Sequence, residues 1–310
     1  MVIRKNEVYL FIILILIVLF PWDYFSPGRF EDLLTYKSYL IKNERHYETL
    51  FDAPLIFLFK EIVFQLWLFF IYDLGFEIDA VIFIVAFTTV IIFFIACKRL
   101  QFDYRISLLI LCPLMIDFFN SQLRNSLACS LFFLGYSLKN KIYKYILFFI
   151  AFTFHFGVLV LITTYFLIDY INYFVSQKRL RLLALILISF VFAFGDKIFF
   201  AILEDYRADV YVSGSNMSLV YLLWAIALLY SLYILKIKNV LNHKELDFAL
   251  VGSMLVVFAY FSGAYYGRYL AMFFPFILIS IGKFSVKKPL FLTLLFYSTY
   301  TFIMNFVFKI

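Results

Sequence analysis

Asn120-Ser-Gln-Leu-Arg-Asn-Ser-Leu-Ala128, followed one hairpin later by Thr153-Phe-His-Phe-Gly157, is the pair of stretches on which the reading of this chain turns. The first sets Arg124 at the mouth of an apolar helix, beside Asn120, Gln122, Asn125 and Ser126. The second sets His155 inside an otherwise apolar run. Ionisable groups at membrane depth cost several kcal/mol and are seldom kept without a partner or a task. These two therefore mark where the chain acts, and the rest reads as a scaffold that presents them.

That scaffold is a membrane one. Hydrophobic residues make up 65% of the 310, against about 45–50% in a soluble domain, and the mean hydropathy is +0.96. The net charge of +7 does not collect in one patch, which removes a nucleic-acid surface from consideration. Cys97, Cys112 and Cys129 fall in or at the ends of apolar segments, an odd number with neither disulfide nor metal-ligand spacing. His46, His155 and His243 stand far apart, so no zinc site is expected, and no other metal or cofactor.

Outward from the hairpin, apolar runs cover about 54–72, 80–97, 106–119, 123–138, 142–154, 156–171, 182–203, 217–235, 247–262, 268–282 and 290–308. Before them Val8–Pro21 is a further apolar segment. Pro21-Trp-Asp-Tyr24 follows it where a cleavable leader would carry small residues, so it reads as a retained helix. Several runs fall short of the ~20 residues of a perpendicular span. The expectation is an all-α, polytopic integral membrane protein of about 11–12 transmembrane or re-entrant helices. Residues 1–310 read as one domain, with polar loops at 23–53 and 204–216.

Charge fixes the expected orientation. The loops around Lys98-Arg99, Lys139–Lys144, Lys178–Arg181, Lys236–Lys244 and Lys283–Lys288 carry three basic residues each. They alternate with loops holding only Arg124, Lys197, Arg207 and Arg268. The positive-inside rule puts the first set in the cytoplasm and Arg124, His155, Arg207 and Arg268 outside. With Arg4-Lys5 inside, 23–53 is also outside, and 54–72, with Pro54 and Lys60-Glu61, is then re-entrant. An outside N-terminus with 23–53 in the cytoplasm is the other solution.

An arginine at a helix start adds a planar fork to the partial positive charge of unsatisfied amides, a fit for phosphate oxygens. Arg124 with Asn125 reads that way, or as an arginine snorkelling to the interface. Arg268, in Tyr265-Tyr-Gly-Arg-Tyr269, is a second such cation, and Arg207 a third with Glu204 and Asp205 beside it. In 23–53, the carboxylates Glu31, Asp32, Glu48 and Asp52 stand among tyrosines that include Tyr36. Acids accept from sugar hydroxyls, ring faces pack on sugar C–H edges, and one carboxylate can serve as a base. His155 can donate to a hydroxyl or carry a proton. No nucleotide-binding loop is present, so any work is driven by an activated lipid-linked donor or an ion gradient.

The segments Ser121-Gln-Leu-Arg-Asn-Ser-Leu-Ala128, the basic turn Lys139-Asn-Lys-Ile-Tyr-Lys144 and Ala151-Phe-Thr-Phe-His-Phe-Gly157 resemble the EpsG family of exopolysaccharide and capsule polymerases, related to Wzy-type O-antigen polymerases. Asp32-Leu-Leu-Thr-Tyr36, Tyr47-Glu-Thr-Leu-Phe51 and Arg268-Tyr-Leu270 extend the likeness over most of the chain. The resemblance implies a GT-C-like glycosyltransferase in a bacterial plasma membrane. Its site would face the exterior or periplasm and join oligosaccharide units carried on undecaprenyl diphosphate. A flippase and a chain-length regulator would be its partners. It also implies roles: Arg124 and Arg268 hold the leaving diphosphate, Asp32 and Glu48 orient or deprotonate the acceptor, and His155 assists. The alternatives are a GT-C transferase using a polyprenyl-phosphate sugar, a flippase or transporter of lipid-linked sugar, and an O-acyltransferase using His155.

Overall fold

The computed structural model describes residues 5–22, 30–43, 62–202, 244–262 and 266–283, with scattered positions between 222 and 236 and at 299, 300 and 303. All regular structure among them is helical. Among the described residues three helices are long and apolar enough to cross a membrane: Ile78–Arg99, Phe156–Phe174 and Lys244–Ser262. Shorter apolar helices cover Glu7–Leu19, Ile62–Asp73 and Gly267–Gly282. The architecture is that of a membrane protein, and it divides into two compact units. One comprises residues 1–159 with 293–310, and the other 160–292.

The first unit contains α1 (Lys5–Leu19), α2 (Glu31–Lys42), α3 (Ile62–Asp73), α4 (Ile78–Arg99), α5 (Pro113–Asn120), α6 (Leu123–Ser137) and α7 (Lys141–Phe154). Glu7 pairs with Lys98 at 2.7 Å, and Phe11 packs edge-on to Phe94. Moving up α1 thus means moving down α4, so the two are antiparallel and the start of α1 shares an end with Lys98-Arg99. At the other end of α1, the Ile17 carbonyl accepts from Trp22 Nε1 (2.7 Å) and Asn120 Nδ2 (3.0 Å). This carbonyl in the last turn has no partner within its helix, and the two side chains supply one.

The apolar run 106–119 is broken into a 3-10 helix (Tyr104–Leu111) and α5, because Pro113 offers no N–H and holds Cys112 extended (ψ 149°). Cys97, Cys112 and Cys129 are all buried free thiols. The hairpin α6–α7 turns at the basic segment 138–140, where the Asn140 side chain accepts from the amides of Ile142 and Tyr143 and so caps α7. Phe132 stacks on Phe148, and Gly135 lies against Leu147, Phe148 and the Lys144 carbonyl. At 15 residues, about 22 Å, α6 is some 10 Å shorter than the 22-residue α4 on which it packs.

Within 23–53, read as a loop, residues 31–42 form α2. Its buried Leu33, Tyr36 and Leu40 share one helical face, and Asn43 closes it in the left-handed region that asparagine tolerates. Of the segment 54–72, the described part is α3, 12 residues and about 18 Å long. The 204–216 loop lies outside the described residues.

The second unit contains α8 (Leu159–Phe174), α9 (Lys178–Ile202), α10 (Lys244–Ser262) and α11 (Tyr266–Lys283). Helices α10 and α11 form an antiparallel hairpin, with Phe248 stacked on Phe276 at 4.1 Å and Gly252 against Phe273. Ser189 of α9 donates to the Val251 carbonyl of α10 at 3.1 Å. Lys244 lies over the Tyr165 ring and pairs with Asp169 at 2.6 Å, while the buried Asp247 pairs with Lys236.

Candidate functional site

Arg124 occupies the first turn of α6, in an elbow that a polar chain holds rigid. Backbone amides of Ser121 and Gln122 both donate to the Asp117 carbonyl, at 2.8 and 3.2 Å, which ends α5. The Gln122 side-chain amide donates to the Asp117 carboxylate at 2.8 Å, and Asn125 donates to Gln122 Oε1 at 3.1 Å. Cys129 completes the chain, its thiol donating to Asn125 Oδ1 at 3.4 Å. Asn125 therefore turns into the core, while Arg124, one residue earlier and about 100° around the helix, turns toward α2.

There Arg124 Nε donates to Tyr36 Oη at 3.0 Å, with the guanidinium carbon 5.4 Å from the ring centre. Tyr36 is 1% exposed and leans on Phe64 of α3, ring centres 5.4 Å apart. A tyrosine packed that firmly gives the guanidinium a fixed acceptor on one edge. Asp32 lies one turn before Tyr36 on the same face of α2 and is half-buried. Lys37 of α2 also pairs with Asp79 at 2.7 Å, at the start of α4.

His155 reaches the same level by the register of the hairpin. Eight residues before Phe132 is Arg124, and eight after its partner Phe148 is Phe156. Arg124 and His155 thus stand at matching heights on antiparallel α6 and α7, and the 3-10 turn Phe156–Val158 packs against both helices. His155 is half-buried. By the shortness of α6, this level lies on the order of 10 Å inside the end of the α4 bundle.

Of the residues expected from sequence, the first unit thus brings Arg124 and Tyr36 into contact, with Asp32 on the adjoining turn and His155 at the same height. Asn125 supports the elbow. Arg268 is half-buried in the first turn of α11, in the second unit. Glu48 and Arg207 lie outside the described residues. Sequence reasoning passed over Asp117, although an acid inside the run 106–119 meets the criterion that singled out Arg124. Among the described residues no group of three His, Cys, Asp or Glu is placed to hold a metal ion.

An arginine held at a helix start, with a tyrosine hydroxyl fixed on one edge of its guanidinium, is suited to grip an oxyanion next to a hydroxyl-bearing ligand. Comparison with known proteins bears on that chemistry. No curated protein and no solved structure matches the chain. The EpsG family model matches residues 8–310, nearly the whole length, and the chain belongs to the EpsG family.

Proposed function

We propose that this protein is an exopolysaccharide polymerase that joins oligosaccharide repeat units carried on undecaprenyl diphosphate, at the outer face of the bacterial plasma membrane. EpsG membership supports the polymerase class. The observation that carries the assignment of the site is the Arg124–Tyr36 contact at the start of α6. In the reaction an acceptor sugar hydroxyl attacks the anomeric carbon of the donor. The bond from that carbon to the diphosphate oxygen breaks, and the diphosphate leaves with the electron pair. Arg124 and the amides at the start of α6 stabilise the charge that grows on it, the task of preorganised cations and dipoles. The hydroxyl proton passes to a carboxylate of the 23–53 segment, Asp32 or Glu48, and His155 steadies the sugar.

Orientation follows from charge. In the first unit Lys98-Arg99 and the 139–144 turn lie at the end away from Arg124, and the positive-inside rule makes that end cytoplasmic. Arg124 and His155 then lie toward the outer face, where the proposed joining of lipid-linked repeat units takes place.

The test is complementation of the host's surface polysaccharide by Arg124→Ala, with protein level checked and lipid-linked sugars resolved on a gel. The expected result is accumulation of a single completed repeat unit, with long chains reduced by two orders of magnitude or more, roughly the worth of one oxyanion-stabilising donor. Normal long chains would remove Arg124 from the site. Loss of even the single unit would place the protein upstream, as a transferase on a polyprenyl-phosphate sugar or as a flippase.

A further inference from the structure

His155 ends α7 in extended backbone (φ −154°, ψ 119°), and its carbonyl accepts from the Val158 amide at 3.2 Å to start the next turn. That turn lays the imidazole over Gly157. A Cβ placed on Gly157 would lie 2.7 Å from Nε2, 3.1 Å from Cδ2 and 3.5 Å from Cε1, and these ring atoms are its three nearest neighbours. A separation of 2.7 Å is one that real Cβ atoms do not tolerate, so the ring would have to leave. The Gly157 backbone lies outside the left-handed region, so alanine meets no backbone strain there. What demands a glycine at 157 is the imidazole. Gly135 and Gly252 differ, for both lie against a neighbouring helix.

We propose that Gly157 is a positioning residue: its bare Cα seats the His155 imidazole at the level of Arg124. The proposal rests on the reading above, in which His155 steadies the sugar during chain growth. Val158 and Ala151, both buried, anchor the turn and the last turn of α7, so the ring is located by a fixed backbone and an unfilled space. A methyl group added at 157 meets the imidazole before any other group and displaces it by about an ångström, and misplacement on that scale costs up to about 100-fold in rate.

The experiment uses the full-length protein in four forms: wild type, Gly157→Ala, His155→Ala and the double variant. Two readouts are taken, the surface-polysaccharide and lipid-linked-sugar pattern in cells, and the Tm of the detergent-purified protein. Gly157→Ala is expected to reach normal protein levels and accumulate the single repeat unit, with long chains reduced about tenfold or more. It should lower the Tm in the wild-type background and leave it unchanged in the His155→Ala background, where the ring it displaces is gone. Normal chains from Gly157→Ala would overturn the proposal. So would an equal fall in Tm in both backgrounds, which would trace the conflict to something other than the imidazole. If Gly157→Ala and His155→Ala both make normal chains while Arg124→Ala does not, the positioning role fails and the polymerase site stands. Normal chains from Arg124→Ala as well would bring down the underlying reading of the site.

Discussion

The two hairpins α6–α7 and α10–α11 are built from the same parts and put them to different use. Each is antiparallel, each brings a glycine against the opposite helix, and each has an arginine in a first turn. In α10–α11 burial runs almost the full length: residues 246–256 are buried without a gap, as are 269–282 opposite. In α6–α7 the second helix buries only Phe148 and Ala151, and the polar residues gather at one end, where α2 comes in from outside the hairpin. A hairpin packed along its whole length is a framework. One packed at its middle and polar at its mouth leaves an end to be completed by other elements, and there a ligand can be received.

The sharpest way to break the comparison is Gly252→Ala. Its Cβ would overlap the Cβ of Phe273, an atom fixed by the α11 backbone, so the helices themselves must part. Overpacking of this kind costs about 1–3 kcal/mol, and here the upper end is expected, read as a marked fall in Tm and in membrane protein level. Tyr36→Phe tests the other hairpin. It keeps the ring against Phe64 and removes the acceptor of Arg124 Nε, so protein level should hold while chain formation falls about tenfold, measured as long-chain polysaccharide per unit protein. An unchanged output would mean that Arg124 needs no fixed acceptor. The smallest effect is expected from Lys37→Ala. Asp79 is 83% exposed on its side chain, and such pairs contribute about 0–1 kcal/mol, so both Tm and output should stay near wild type. A large loss there would show that α2 is held by its charge and not by Tyr36, Leu33 and Leu40.

Most of the helical framework was legible from hydropathy, since the described helices follow the apolar runs to within a few residues. The interruption at His155 was legible from the polar break between the runs 142–154 and 156–171, whereas 106–119 read as one run although Pro113, with no amide to donate, divides it. Arg124 stood out because a charge inside an apolar chain is rare. Asp117 carried the same signal and was passed over, its partner Gln122 lying five residues on in what read as a separate segment. Helix α2 was hidden because its apolar residues occupy one face only, among lysines, tyrosines and acids that read as loop. The seat of His155 on Gly157 was beyond the sequence, for it depends on where a side chain folds back rather than on what the residues are. Likewise Glu7 and Lys98 sit in separate segments with nothing in their spacing to join them.

The Ile17 carbonyl, shared between Trp22 and Asn120, bears on how the chain is made. Asn120 follows Ile17 by 103 residues, which at 5–20 residues per second is a delay of about 5–20 s during synthesis. Through that interval the later partner is absent, and a bare carbonyl at the end of so apolar a helix is costly away from water. Trp22, five residues away, emerges almost at once and covers it. The tryptophan thus serves as an early, local stopper for the nascent helix, and the asparagine as a latch that closes when the later segments arrive.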